Sequence, residues 1–174
     1  MANTNYQYAK IDNKYIIKLS GELKYKWSSG FNNFLQKIFQ KDDFDEIVVD
    51  LSETSYIDST NIGLLAKIAR FSLRKFSRKL PVIVDQKDED VKELLIGMGF
   101  NKLCNFIKIP ENFDHQYKTI KDSRKSKEDL GKMILDAHKT LSKISQKNKK
   151  QFKNVVELLE QQTRKDEEDL DKKE

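Results

Sequence analysis

One cysteine, six glycines and two histidines are spread over 174 residues, and each scarcity removes a class of function. The single thiol, Cys104, permits no internal disulfide. It stands among apolar neighbours in "NKLCNFIKI", the setting of a buried core thiol rather than a reactive one. The glycines never fall into GxGxxG or GxxxxGK, so no phosphate-cradling loop is present. His115 and His138 lack Cys or carboxylate companions at metal spacing. No Ser-His-Asp or Cys-His constellation can be argued from residue order, so the expectation is a protein that is not an enzyme and needs no cofactor and no metal. No apolar run approaches the ~20 residues of a membrane span, and the opening "MANTNYQYAKID" has no apolar signal-peptide core. A soluble, cytoplasmic protein without membrane contact is expected.

Charge is abundant but mixed. The 33 basic and 28 acidic residues leave a net charge of +5, and the two signs are interleaved along most of the chain. No dense basic tract with interleaved aromatics occurs, nor any zinc-finger or RNP-like motif, so direct nucleic-acid binding is not expected. Charged residues make up 35% and apolar ones 37%, a polar balance implying that part of the chain contributes little to a core.

Hydropathy patterning gives the order of elements. "YQYAKI" and "KYIIKLSG" flank the turn pair Asp12-Asn13, and Tyr15, Ile17 and Leu19 alternate with Ile16, Lys18 and Ser20 as in a strand. Gly21-Glu22-Leu23 is expected to leave that strand. Trp27, Phe31, Phe34, Leu35, Ile38 and Phe39 fall at helical spacing, with Ser28 or Ser29 as cap and Gly30 as a weak point. "DEIVVDL" is a continuous apolar run, typical of a strand buried on both faces. Ile62, Leu65, Ile68, Ala69 and Leu73 make one face of the next helix. "KLPVIVDQ", with Pro81 at a first strand position, "DEDVKELLIGMGF" and "LCNFIKI" add a strand, a helix and a last strand. Asp88 or Asp90 stands near the start of that helix, and Gly97 and Gly99 end it. The order predicts an α/β fold with a four- to five-stranded mixed sheet packed with helices.

After Pro110 the pattern breaks. Residues 1–109 read as one α/β domain, 110–125 as a polar linker and 126–174 as a helical extension. "SKED" from Ser126 fits an N-cap with acids in the first turn. Leu130, Ile134, Ala137, Leu141 and Ile144 follow in a seam, which Asn148 and then Phe152, Val155, Leu158, Leu159 and Gln162 continue. The spacing is near ~3.5 residues, that of a coiled coil or helical hairpin. One long helix and two antiparallel ones both fit. So do internal packing, self-association and a partner groove. "RKDEEDLDKKE" reads as a solvated, frayed end.

Between the buried strand and the following helix lies a polar cluster, "IDSTNIG" at residues 57–63. One of Asp58, Ser59 and Thr60 is expected to cap the helix. A helix N-terminus also favours anions. A phosphate on Ser59 would sit in a favourable field and change a docking surface through its charge beside Asp58.

The strand, the polar piece and Asp58-Ser59-Thr60-Asn61-Ile62-Gly63 resemble the STAS domain, the fold of bacterial anti-sigma factor antagonists. "LSGEL" at 19–23 and "GMGF" at 97–100 fit as well, and the resemblance covers about residues 5–109. It implies partner switching. Ser59 would be the phosphoacceptor of a serine kinase that is itself often an anti-sigma factor. The unphosphorylated chain would sequester that partner, and a phosphatase would restore the hydroxyl. Asp58 would fix the loop and contribute to the contact surface. Thr60 would be a lesser acceptor or the cap. Asp58, Ser59, Thr60, Asn61, Ile62 and Lys67 form the expected partner-binding set. Asn61 replaces the motif's first glycine, and its side chain is expected to occupy space a partner would approach. A STAS scaffold or accessory subunit that is never phosphorylated, with its tail mediating oligomerisation or complex assembly, is the alternative.

Lys67, Arg70, Arg74, Lys75, Arg78 and Lys79 form a basic face on or after the motif helix. It reads either as a solvated surface or as a rim steering an acidic partner toward Ser59.

Overall fold

The computed structural model describes residues 3–174. Strands β1 (Asn5–Ile11) and β2 (Lys14–Leu23) form a hairpin whose turn places Asp12 at φ +53°. Tyr15, Ile17 and Leu19 enter the main core as their alternation predicts, but Ile16 and Ser20 on the opposite face are buried too. The strand does not end at Gly21. It runs on to Leu23, and a register shift between Gly21 and Glu22 keeps it paired with β3.

A short 3-10 turn, Tyr25–Trp27, leads into α1 (Ser29–Ile38). Trp27 therefore falls outside the helix and is exposed, contrary to the sequence expectation. Ser28 occupies the N-cap without a side-chain capping bond.

Strand β3 (Glu46–Ile57) is longer than its apolar run. The polar residues 52–56, which looked like a connection, continue the strand, with Thr54 buried and its hydroxyl donating to the Leu19 carbonyl at 2.8 Å. Then come α2 (Ser59–Phe76), β4 (Leu80–Ile83), α3 (Asp90–Gly97) and β5 (Cys104–Ile107). Cys104 is buried, and desolvation pushes its thiol up to about 12.

The sheet has six strands in the order β5-β4-β3-β2-β1-β6, one more than expected. The addition is β6, the two-residue strand Lys118–Thr119, paired antiparallel with β1. It lies in the segment that read as a linker. Since β5 and β6 occupy opposite edges, residues 108–117 must cross the whole sheet. The crossing explains why Tyr117 lies near Lys18 and why Phe113 and His115 approach Ile16. Ile120 then enters the core, and the backbone of Lys121 lies so close to α1 that a Cβ at Gly30 would meet its carbonyl. Gly30 thus permits a close approach where the sequence suggested only a weak helix.

The extension is a helical hairpin, α4 (Lys127–Ser142) and α5 (Gln146–Asp171). Ser126 caps α4 through the Asp129 N–H at 3.1 Å, as its sequence predicts. Ser145 takes an extended conformation and caps α5 through the Asn148 N–H at 3.1 Å. The seam is used only in part. Ala137, Leu141, Asn148 and Phe152 are buried, joined by Met133 and His138, whereas Val155 and Leu158 face solvent. α4 packs on both α5 and α2, so its buried face is wider than one seam and takes in Met133 and His138.

Candidate functional site

The site lies where β3 gives way to α2. Asp58 is the N-cap, with an extended backbone (φ −83°, ψ 168°) that turns the chain into the helix. Its Oδ1 accepts from the Asn61 backbone N–H and from Asn61 Nδ2, both at 2.9 Å. Its Oδ2 accepts the Tyr25 N–H at 2.6 Å. One carboxylate therefore fixes the start of α2 and holds the chain leaving β2 beside it. Of the three capping candidates, Asp58 performs the role and Thr60 does not. Thr60 is buried.

Asn61 does not project toward a partner, and here the sequence expectation is corrected. It is fully buried. Its Oδ1 accepts from Tyr6 OH at 3.0 Å and from Ser28 Oγ at 2.9 Å. A glycine could make none of these bonds; Asn61 ties β1, the start of α1 and α2 together. Burial pushes the Tyr6 phenol up to about 12, and the nearby Asp58 charge adds to the effect while the Ser28 bond opposes it. Ile62 is also buried, in the main core.

Ser59 is the hydroxyl left over. It occupies the first helical position, is half-buried and takes no part in the cap. Its Oγ lies 2.9 Å from Nε2 of His138 on α4. The other ring nitrogen, Nδ1, donates to the Ile134 carbonyl at 2.8 Å. That bond leaves Nε2 as the ring nitrogen that meets the Ser59 hydroxyl.

Two further contacts join α4 to the motif helix. A Cβ built on Gly63 would lie 2.3 Å from the Ala137 carbonyl oxygen, so the helices cross with backbone nearly touching backbone. Only glycine fits there. One helical turn on, Lys67 forms an ion pair with Asp136. Residues 59, 63 and 67 recur every four positions, and together they meet Asp136, Ala137 and His138.

The six residues expected at a partner surface thus divide. Asp58, Thr60, Asn61 and Ile62 build the loop from within, while Ser59 and Lys67 face α4. The basic face is partly engaged: Lys75 bonds Asp42 and the Lys41 carbonyl, and Lys79 reaches the Asn101 carbonyl. Arg70 and Arg74 line a shallow cleft of about 330 Å³ with Phe39 and Phe71.

Sequence reasoning missed two features. His138 meets Ser59 across 79 residues of chain, a pairing no local pattern reveals. Tyr25, Trp27 and Tyr56 are exposed at the same end of the sheet as Asp58, with Lys26 over the Trp27 ring and Lys24 near that of Tyr56. The aromatic density around Trp27 could have signalled a surface, had its stripe not looked like a core face.

Among the described residues, no helix is long and apolar enough to cross a membrane. No group of three or more His, Cys, Asp or Glu among them is arranged to hold a metal ion.

The family model described as STAS domain matches residues 5–110, more than half of the chain. No curated protein matches the chain.

Proposed function

The chain belongs to the STAS-domain family, and we propose that it is a regulatory binding protein of the anti-sigma factor antagonist type, switched at Ser59. It acts by binding rather than by catalysis. With a free hydroxyl at Ser59 it binds a partner that is an anti-sigma factor or serine kinase. Phosphorylation by that kinase releases the partner, and a phosphatase restores the binding state.

One observation carries this reading: within the hydroxyl cluster Asp58 is consumed by the cap and Thr60 is buried, which leaves Ser59 as the hydroxyl free of structural duty to α2. It stands at a helix N-terminus, where unpaired N–H groups favour a phosphate. The phosphate would bring about −1.5 to −2 charges to a surface that already holds Asp58. The exposed aromatics Tyr25, Trp27 and Tyr56 supply anchors of the kind enriched in protein interfaces.

A second reading has its own observation. Ser59 bonds His138 of the chain itself, which suits a scaffold or accessory subunit that is never modified. Phosphopeptide mapping by mass spectrometry, on protein isolated from its native cells in growth and in starvation, separates the two. Condition-dependent phosphate on Ser59 is the expected result. A Ser59 that stays unmodified in both states, in a protein that remains in a complex, would remove the switch and leave the scaffold.

A further inference from the structure

Helix α4 lies on the one face of α2 that bears Ser59. Three unlike contacts hold it there: the Ser59–His138 hydrogen bond, the Gly63–Ala137 crossing and the Lys67–Asp136 ion pair. Met133 and Ala137 are buried with it. Beyond this face, Leu141 and Phe152 enter the main core and Asn148 Nδ2 donates to the Met98 carbonyl at 2.9 Å. The hairpin is therefore anchored near its turn and latched at Ser59 by small, polar and charged groups.

We propose that α4 is a tethered competitor for the docking face of α2, and that a phosphate on Ser59 holds it off. The inference rests on Ser59 being the modified residue. The tight geometry of the latch carries the exclusion. In the closed chain His138 Nδ1 donates to the Ile134 carbonyl and Nε2 lies 2.9 Å from the Ser59 Oγ. Phosphorylation replaces the hydroxyl that makes this bond. It also sets a group of three oxygens and a double negative charge where a buried imidazole lies at hydrogen-bond distance. The backbone contact at Gly63 leaves no slack for α4 to absorb the added bulk by a small slide.

In the unphosphorylated chain partner and kinase then face the same gate. Each reaches Ser59 only in the fraction of molecules whose α4 is lifted, and the apparent affinity of either falls by that fraction. In the phosphorylated chain the face is uncovered and the charge on Ser59 keeps the partner off. The partner element that fits the vacated face is a helix with a small residue at the Gly63 crossing and an acid opposite Lys67, the pattern α4 carries as Ala137 and Asp136.

The test needs neither partner nor kinase. Met133→Cys places a thiol in the covered face of the full-length chain. The one native thiol, Cys104, is buried and pushed up to about 12, so it stays silent toward a thiol reagent unless the domain unfolds. Labelling rates at both positions are compared between the unmodified chain and a chain carrying phosphoserine introduced at position 59 during translation. Labelling at position 133 should rise at least 10-fold with Cys104 still slow; any rise above threefold with Cys104 slow supports the lid. A change of less than threefold overturns it. Parallel acceleration at Cys104 also overturns it, because the hairpin would then not move as a separate body. Should Met133→Cys not fold, the imidazole proton resonances of His138, followed in the otherwise native chain, report the same event: they move to the position of an exposed ring or they stay. The outcome is distinct from that of the phosphate mapping. Phosphate found in cells with no lifting sinks the lid and keeps the switch, and lifting with no phosphate in cells does the reverse.

Discussion

Two bodies share α2, and they hold it by different chemistry. The sheet and α1 grip it through Ile62, Leu65, Ile68 and Ala69, packed with Phe31, Leu35 and Ile17 in one apolar core. The hairpin meets it at the Ser59 end through a glycine, a serine and a lysine, with Met133 and Ala137 buried beside them. It joins the main core only near its turn, through Leu141 and Phe152. Separating the first pair would expose large apolar surface at roughly 25 cal/mol per Å². Separating the second at its Ser59 end exposes the polar groups, which water re-satisfies, and little apolar surface beyond Met133 and Ala137. The lesson is that a helix can belong to an apolar core on one side and meet a neighbour through small, polar and charged groups on the other.

The sharpest way to break the comparison is to strike each side and ask what unfolds. Phe31 is among the largest fully buried side chains, and its ring packs 5.1 Å from that of Tyr6. Phe31→Ala should cost about 3–5 kcal/mol, and the loss should be global, seen as a lower urea midpoint for the whole domain. Gly63→Ala strikes the other side. The new methyl would meet the Ala137 carbonyl, an overpacking of about 1–3 kcal/mol. Within α2 itself, Ala is better than Gly by about 0.8–1.0 kcal/mol. The expected result is a chain whose hairpin is displaced while the sheet domain holds or gains stability. Thiol labelling at Met133→Cys beside Cys104 reads both at once. A chain that loses sheet stability with Gly63→Ala would show that hairpin and domain are one cooperative body.

The same contrast decides what could be read from the sequence. The sheet domain was legible because its core contacts follow local periods: Tyr15, Ile17 and Leu19 of β2, the unbroken run in β3 and the helical stripe of α2. Capping at Asp58 was legible for the same reason, since its partner is three residues away. What escaped depended on distant partners. Asn61 looked like an intruder at a glycine position because Tyr6 and Ser28, its bonding partners, come from other elements. Residues 110–125 looked like a linker because a strap crossing a sheet has no period, and Phe113, Tyr117 and Ile120 are scattered among charges. His138 looked like a bystander on the tail seam. Its meaning lies in Ser59, and only the docking of α4 brings the two together.

The smallest effect expected is at the ion pair, and it sharpens the comparison by its size. Lys67 is largely covered, its side chain 18% exposed, while that of Asp136 is 62% exposed. A pair so open on one side contributes about 0.2–1 kcal/mol and is screened by salt. Asp136→Asn keeps the volume and removes the charge. Lys67 can still carry its ammonium to water along its flexible stem, so no charge is stranded in the core. Labelling at Met133→Cys should therefore quicken by no more than about fivefold in low salt, and the difference should shrink toward nothing in about 1 M salt. An effect as large as that of Gly63→Ala, and insensitive to salt, would mean that the latch depends on a buried charge pair. The backbone crossing at Gly63 would then be secondary, and the α2–α4 face would resemble the domain core more than a surface built to open.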